Sequence, residues 1–95
     1  MERGTKGVRL FVKMSTSNID KPIQVGAIFK AGVIIPKWFI WEGRRYDMKR
    51  VNLTWQRAEG ASLMHYFSVS DDLNSYEISF DPKGMTWRLN KTSAN

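Results

Sequence analysis

The side chains able to do chemistry are few in this 95-residue chain. Cysteine is absent, which removes thiol nucleophiles, zinc-thiolate sites and disulfide frameworks. His65 is the single histidine, so neither a histidine pair for a metal nor a histidine with a ready relay partner is present. It falls inside an apolar alternation, where a packed structural histidine is the expected role. Asp71 and Asp72 are adjacent carboxylates, but neighbours on a strand point to opposite faces and neighbours in a turn are solvated. No glycine-rich loop of the phosphate-cradling kind occurs. These residues predict a protein that is not an enzyme and holds no cofactor and no metal.

Cations and aromatics are what the chain has in quantity. The net charge is +6, unevenly spread. Residues 1–57 carry twelve basic and four acidic side chains, a balance of +8, whereas residues 58–95 carry three basic and five acidic, a balance of −2. Such asymmetry is the footprint of polyanion binding, although a basic strand face also serves solubility and blunts a sheet edge. The candidate contacts are Lys37, Arg44, Arg45, Lys49, Arg50 and Arg57. Trp38 beside Lys37 is the candidate exposed aromatic, able to stack on an unpaired base while cations hold phosphates. Its alternative role is packing against the first strand or the N-terminal segment. Arg44, directly after Gly43, has a second role open to it, bracing the turn through carbonyls or Glu42.

The element that must position these groups is residues 34–55, which hold three of the four tryptophans. Trp38, Phe39, Ile40 and Trp41 have the aromatic and β-branched composition of a strand. Glu42-Gly43 supplies a two-residue reversal. In the return segment, Tyr46 and Met48 share one parity and Val51, Leu53 and Trp55 the other. A one-residue bulge near Lys49-Arg50 would return both sets to a single inward face. On this reading Trp41, Trp55 and Trp87 join Phe39, Phe67, Ile78 and Phe80 in the core.

Period-two alternation extends the pattern along the chain. It predicts a strand near residues 23–29, a turn at Lys30-Ala31-Gly32, a loop over residues 57–62, and a strand over residues 63–70. Tyr76, Ile78 and Phe80 alternate with Glu77 and Ser79. Asp81-Pro82-Lys83-Gly84 has the residues of a type I turn with a left-handed glycine after it, and Met85, Trp87 and Leu89 define a last strand. The expected fold is all-β: a small antiparallel meander of six or seven strands with little or no helix, rolled into a curved sheet or small barrel. Residues 1–19 read as a basic N-terminal arm and linker, with a short strand at residues 8–12, residues 20–91 as a single domain, and residues 92–95 as a polar tail. No apolar run approaches the roughly 20 residues that span a bilayer, and the basic N-terminus lacks a secretory core and cleavage site. A cytoplasmic protein without membrane contact is expected.

Three spaced motifs carry a resemblance. They are Asp20-Lys21-Pro22-Ile23-Gln24-Val25, then Pro36-x-x-Phe39-x-Trp41-x-Gly43-Arg44-x-Tyr46, then Val51-x-x-x-Trp55. Together they resemble an uncharacterised family of short bacterial β proteins, a domain of unknown function often encoded beside genes for error-prone DNA polymerases and their accessory factors. Tyr66-Phe67-x-Val69, Tyr76-x-Ile78 and Trp87-x-Leu89 are similar to that family's looser C-terminal half. The chain departs from it in having the N-terminal arm and fewer arginines. The resemblance implies a stand-alone bacterial module associated with DNA repair and brings no activity with it.

Two functions follow as expectations. The first is a non-enzymatic binding module contacting nucleic acid, single-stranded or without sequence preference, through the basic strand face with Trp38 as platform. The second is a protein–protein adaptor that uses an exposed edge strand and the aromatic segment 36–41. The expected oligomeric state is a monomer or weak homodimer.

Overall fold

The computed structural model describes residues 16–94. The expected strand at residues 8–12 and the basic arm around it lie outside the described residues. Seven strands and no helix make up the described chain: β1 (Thr16–Lys30), β2 (Val33–Trp41), β3 (Arg44–Asp47), β4 (Arg50–Glu59), β5 (Ser62–Ser70), β6 (Asn74–Asp81) and β7 (Thr86–Ala94). They form one open antiparallel sheet in the order β3-β2-β1-β7-β6-β5-β4. Two meanders, β1 to β3 and β4 to β7, are joined by pairing of the first strand with the last.

Strand β1 spans both halves because it changes partner along its length. Its first part pairs with β7, from Thr16 opposite Ser93 to Ile23 opposite Trp87. Its second part pairs with β2, from Gln24 opposite Ile40 to Lys30 opposite Val33. Two irregularities bend it. At the first, Asp20 adopts a positive φ of 52° and the register with β7 shifts. Arg88 fixes this corner, donating from Nη2 to the Asp20 carbonyl at 2.8 Å and from Nε to its carboxylate at 3.0 Å. At the second, Gly26 opposes Trp38 while Ala27 opposes Pro36, which leaves Lys37 as the extra residue of a bulge.

The residues that composition assigns to a linker and a tail are strand. Thr16, Ser17 and Asn18 pair with Ser93, Thr92 and Lys91. Small polar residues mark loops only where no neighbouring strand satisfies their backbone, and here each end of the chain supplies the other's partner.

Bending brings the two halves face to face. Phe39 and Tyr46 from the β2–β3 hairpin meet Tyr76 of β6 at ring distances of 5.1 and 5.8 Å. Phe39, Ile78, Leu89 and Val69 are fully buried, and Phe67, Phe80, Tyr76 and Trp87 complete the core. Burial of such a side chain contributes about 1.5–3 kcal/mol. Trp41 is half-buried at the margin of this cluster.

The segment after Glu42-Gly43 departs from its expected course. The turn itself is as expected, with positive φ at both residues, 52° and 75°, the geometry of a type I′ hairpin. The return, however, is two strands and not one. Met48 N–H donates to Lys37 O at 2.9 Å, continuing the β2 ladder, and Lys49 N–H donates to Ser70 O at 2.9 Å, opening the β5 ladder. The chain thus steps from one half of the sheet to the other between these residues. The bulge lies at Asn52, where Val51 opposes Val69 and Leu53 opposes Ser68. As a result Val51, Leu53 and Trp55 do not share an inward face. Trp55 is not in the core but sits on the outer face, stacked on Tyr66 with ring centroids 5.4 Å apart. The physical reason is that the bulge turns Leu53 and Trp55 outward, while β4, with β5 as its one neighbour among the described residues, presents Val51, Thr54, Gln56 and Ala58 inward.

Two loops are also corrected. Residues 57–59 belong to β4, with only Gly60 and Ala61 between it and β5. After β6 the left-handed residue is Met85, at φ 56°, and not Gly84.

Candidate nucleic-acid interface

The β2–β3 hairpin carries four of the seven nominated residues. Trp38 lies over Gly26 of β1, so closely that a Cβ built on that glycine would stand 2.1 Å from Cε2 of the indole. Arg45, one rung along on β3, holds its guanidinium 4.8 Å from the centre of the Trp38 ring and donates from Nε to Asp47 Oδ1 at 2.9 Å. The indole is therefore packed against the first strand and overlaid by a cation. Its half-buried state leaves a guanidinium plane, and not a bare ring, as the presented surface. Lys37 is exposed, as expected of a bulged residue. Arg44 is exposed at the hairpin end, 5.7 Å from the Tyr46 ring, so it leans on an aromatic neighbour.

Lys49 and Arg50 follow at the step between the halves. Lys49 donates from Nζ to Asp72 Oδ2 at 2.8 Å. That hydrogen bond, and after it the charge of Asp72, raise the ammonium above its ordinary pKa. Among the described residues Lys37, Arg44 and Arg50 have no carboxylate partner.

Arg57 is not with the others. It lies on the outer face of β4, 4.7 Å from the Tyr66 ring, and its Nε is 3.5 Å from Glu59 Oε2. Tyr66 donates its hydroxyl to the same carboxylate. Burial, then the bond to Glu59, push the phenol above its ordinary value. Because the halves pack inner face to inner face, the outer face bearing Arg57 points away from the one bearing Trp38 and Arg45. The structure thus places Lys37 at the bulge beside Trp38 and Arg45 on one face of the hairpin, Arg44 on the other face with Tyr46, Lys49 at the step, and Arg50 with Arg57 on the outer face of β4.

A cleft of about 460 Å³ opens between the β1–β2 hairpin end and β4–β5, lined by Val33, Ile34, Thr54, Gln56, His65 and Phe67 among others. His65 is half-buried there with Nδ1 3.5 Å from Gln56 Nε2. No carboxylate lines this cleft among the described residues, so His65 has no acid–base partner in it. No group of three metal-ligating side chains occurs among the described residues, and no helix of the described chain is long and apolar enough to cross a membrane.

Sequence reasoning missed the acidic partners of Arg45, Lys49 and Arg57. The i to i+2 spacing of Arg45 to Asp47 and of Arg57 to Glu59 was the available signal, since both pairs lie on one strand face. Asp72 is 23 residues from Lys49, and no local pattern points to it. Comparison of the chain with protein-family models, curated proteins and solved structures finds no match.

Proposed function

We propose that this protein is a non-enzymatic binding module that contacts single-stranded nucleic acid without sequence preference, through the outer side of the β2–β3 hairpin. What carries the reading is the stack of Arg45 on Trp38 with the exposed Lys37 beside it at the bulge. Bases stack on guanidinium planes as they do on aromatic rings, and the flanking cations meet the backbone phosphates. Lys49 extends the track at the step, exchanging Asp72 for a phosphate. Arg50 and Arg57, both on the outer face of β4, take no part. The basic balance of residues 1–57 supports the same polarity. The resemblance to a bacterial family encoded near error-prone polymerase factors is in keeping with it.

The test is a titration of the 95-residue protein with a short labelled single strand and the matching duplex at two salt concentrations. Two phosphate contacts, from the flanking Lys37 and Lys49, give a log-log salt slope of about −1.4, a loss of about 7-fold between roughly 50 and 200 mM salt. Lys37→Glu should reduce the slope by about 0.7, and Arg44→Glu, on the opposite face, should leave it unchanged. Absence of binding at low salt, or an affinity indifferent to salt, refutes the reading.

The competing function, a protein adaptor, takes a different form from the one expected. Trp38, Phe39 and Ile40 are paired on one side with β1 and on the other with β3, so this segment is no edge. The long open edge is β4.

A further inference from the structure

Among the described residues the two terminal strands of the sheet, β3 and β4, each have one neighbour, and they differ. Strand β3 is four residues long, with adjacent arginines, a short charged edge of the kind that discourages pairing. Strand β4 is ten residues long, and the run from Val51 through Gln56 carries no charge and no proline. Leu53 is 60% exposed and Val51 40%. Among the described residues no strand pairs with the outer side of β4. A long, uncharged, apolar edge is a template for another strand.

We propose that the partner of β4 is β4 of a second copy, the two strands pairing antiparallel about a two-fold axis at Trp55. The register follows from face and charge. Opposed residues must lie on the same face of the joined sheet, which restricts the two-fold to a centre on a residue. With the centre at Trp55, Trp55 meets its own copy, Thr54 meets Gln56 and Leu53 meets the stem of Arg57. The bulge at Asn52 then shifts the count by one, so Val51 meets Ala58 and Arg50 meets Glu59, faces still matched. All ten residues of the strand are used, an apolar pair lies inside each end, and each end closes on opposite charges. A centre at Thr54 would set Arg50 against Arg57 twice, and like charges directly opposite are destabilising. A centre at Gln56 would set Leu53 against Glu59 and push Arg50 beyond the partner strand. The bulge that spoils the simple alternation of β4 is what lets its charges match in a two-fold pair.

This proposal is independent of the nucleic-acid reading. Its test starts from light scattering of the full chain across a dilution series. The mass should move between 11.0 kDa and twice that value. Arg50→Glu should weaken the dimer about tenfold or more, because two symmetric pairs change from attraction to repulsion, and Arg50→Glu with Glu59→Arg should restore it. Circular dichroism of each variant confirms that the sheet is intact. Since the chain has no cysteine, single replacements report the register. Trp55→Cys should cross-link to its copy on mild oxidation, while Thr54→Cys and Gln56→Cys should not. A wild-type mass of 11.0 kDa at every concentration overturns the proposal. So does a cross-link at Thr54 or Gln56 in place of Trp55, or a dimer indifferent to Arg50→Glu.

Discussion

Replacing Gly26 with alanine is expected to destabilise this protein far more than a one-methyl change at a half-buried strand position would suggest. The new Cβ would stand 2.1 Å from Cε2 and 2.3 Å from Nε1 of Trp38, well inside van der Waals contact. The backbone at Gly26 does not have a positive φ, so alanine fits the chain itself and the cost is steric. Forcing the indole off its seat is an overpacking change of about 1–3 kcal/mol. It also separates the ring from the Arg45 guanidinium, a contact of about 0.5–1 kcal/mol at an exposed site. Alanine returns about 0.4–1 kcal/mol through the unfolded chain. The net is a loss of about 2 kcal/mol, and a domain of this size loses about 4–8 °C of Tm per kcal/mol. Thermal and urea unfolding of Gly26→Ala, Trp38→Ala and the double variant measure it. The double variant should be more stable than the two single losses sum to, by at least about 1 kcal/mol, because removing the ring removes the clash. If Gly26→Ala lies within about 0.5 kcal/mol of wild type and the cycle shows no coupling, the seating of Trp38 on β1 is wrong.

Two further outcomes follow from the turns and the carboxylates. Ala31 and Gly32 both have positive φ, 51° and 81°, in the β1–β2 turn, where asparagine is the preferred first residue. Ala31→Asn should raise stability by about 0.5–1 kcal/mol in urea unfolding, and an unchanged midpoint would refute that turn geometry. Asp71 loses through burial but gains more from the N–H groups of Asn74 and Leu73 and the Tyr76 hydroxyl, so its carboxyl is held below its ordinary value. Asp81 is lowered first by the Ser62 hydroxyl, at 2.6 Å, and then by the Lys83 N–H. A lowered folded pKa gives stability that is full above the unfolded value, about 3.9, and is lost as pH falls through the folded one. Stability should therefore decline below about pH 4, and Asp71→Asn with Asp81→Asn should flatten that decline. An acid limb of unaltered steepness in the double variant counts against both sites.

Local order was legible in the sequence. The Glu42-Gly43 reversal appears where the dipeptide placed it, with both residues at positive φ. The alternations of Tyr76, Ile78 and Phe80 and of Trp87 and Leu89 turn those residues into the core. Trp55 shows the limit. Its parity matched Val51 and Leu53, but the bulge at Asn52 breaks the face between Val51 and Leu53, and a strand with one neighbour has no opposing layer to bury an indole. In the candidate site, Trp38 and Arg45 share one face of a hairpin with Lys37 at the bulge, whereas Arg44 alternates onto the other face. Arg57 was grouped with them by charge alone and lies on the other side of the molecule.

The sequence by itself determined the strand class, the hairpin turns and most of the buried positions. Each of these depends on the side-chain period of two and on turn residues a few positions apart, which a chain carries before it folds. Tertiary structure alone decided that β1 pairs with β7, that the chain crosses between halves at Met48 and Lys49, and that β4 has β5 as its one neighbour among the described residues. It also decided that Lys49 meets Asp72 and that Arg88 braces Asp20 across 68 residues. Those outcomes depend on how sharply β1 bends at Asp20 and at Gly26. Only once that bend has brought Phe39 onto Tyr76 do the two edges, and the charges along them, acquire their neighbours.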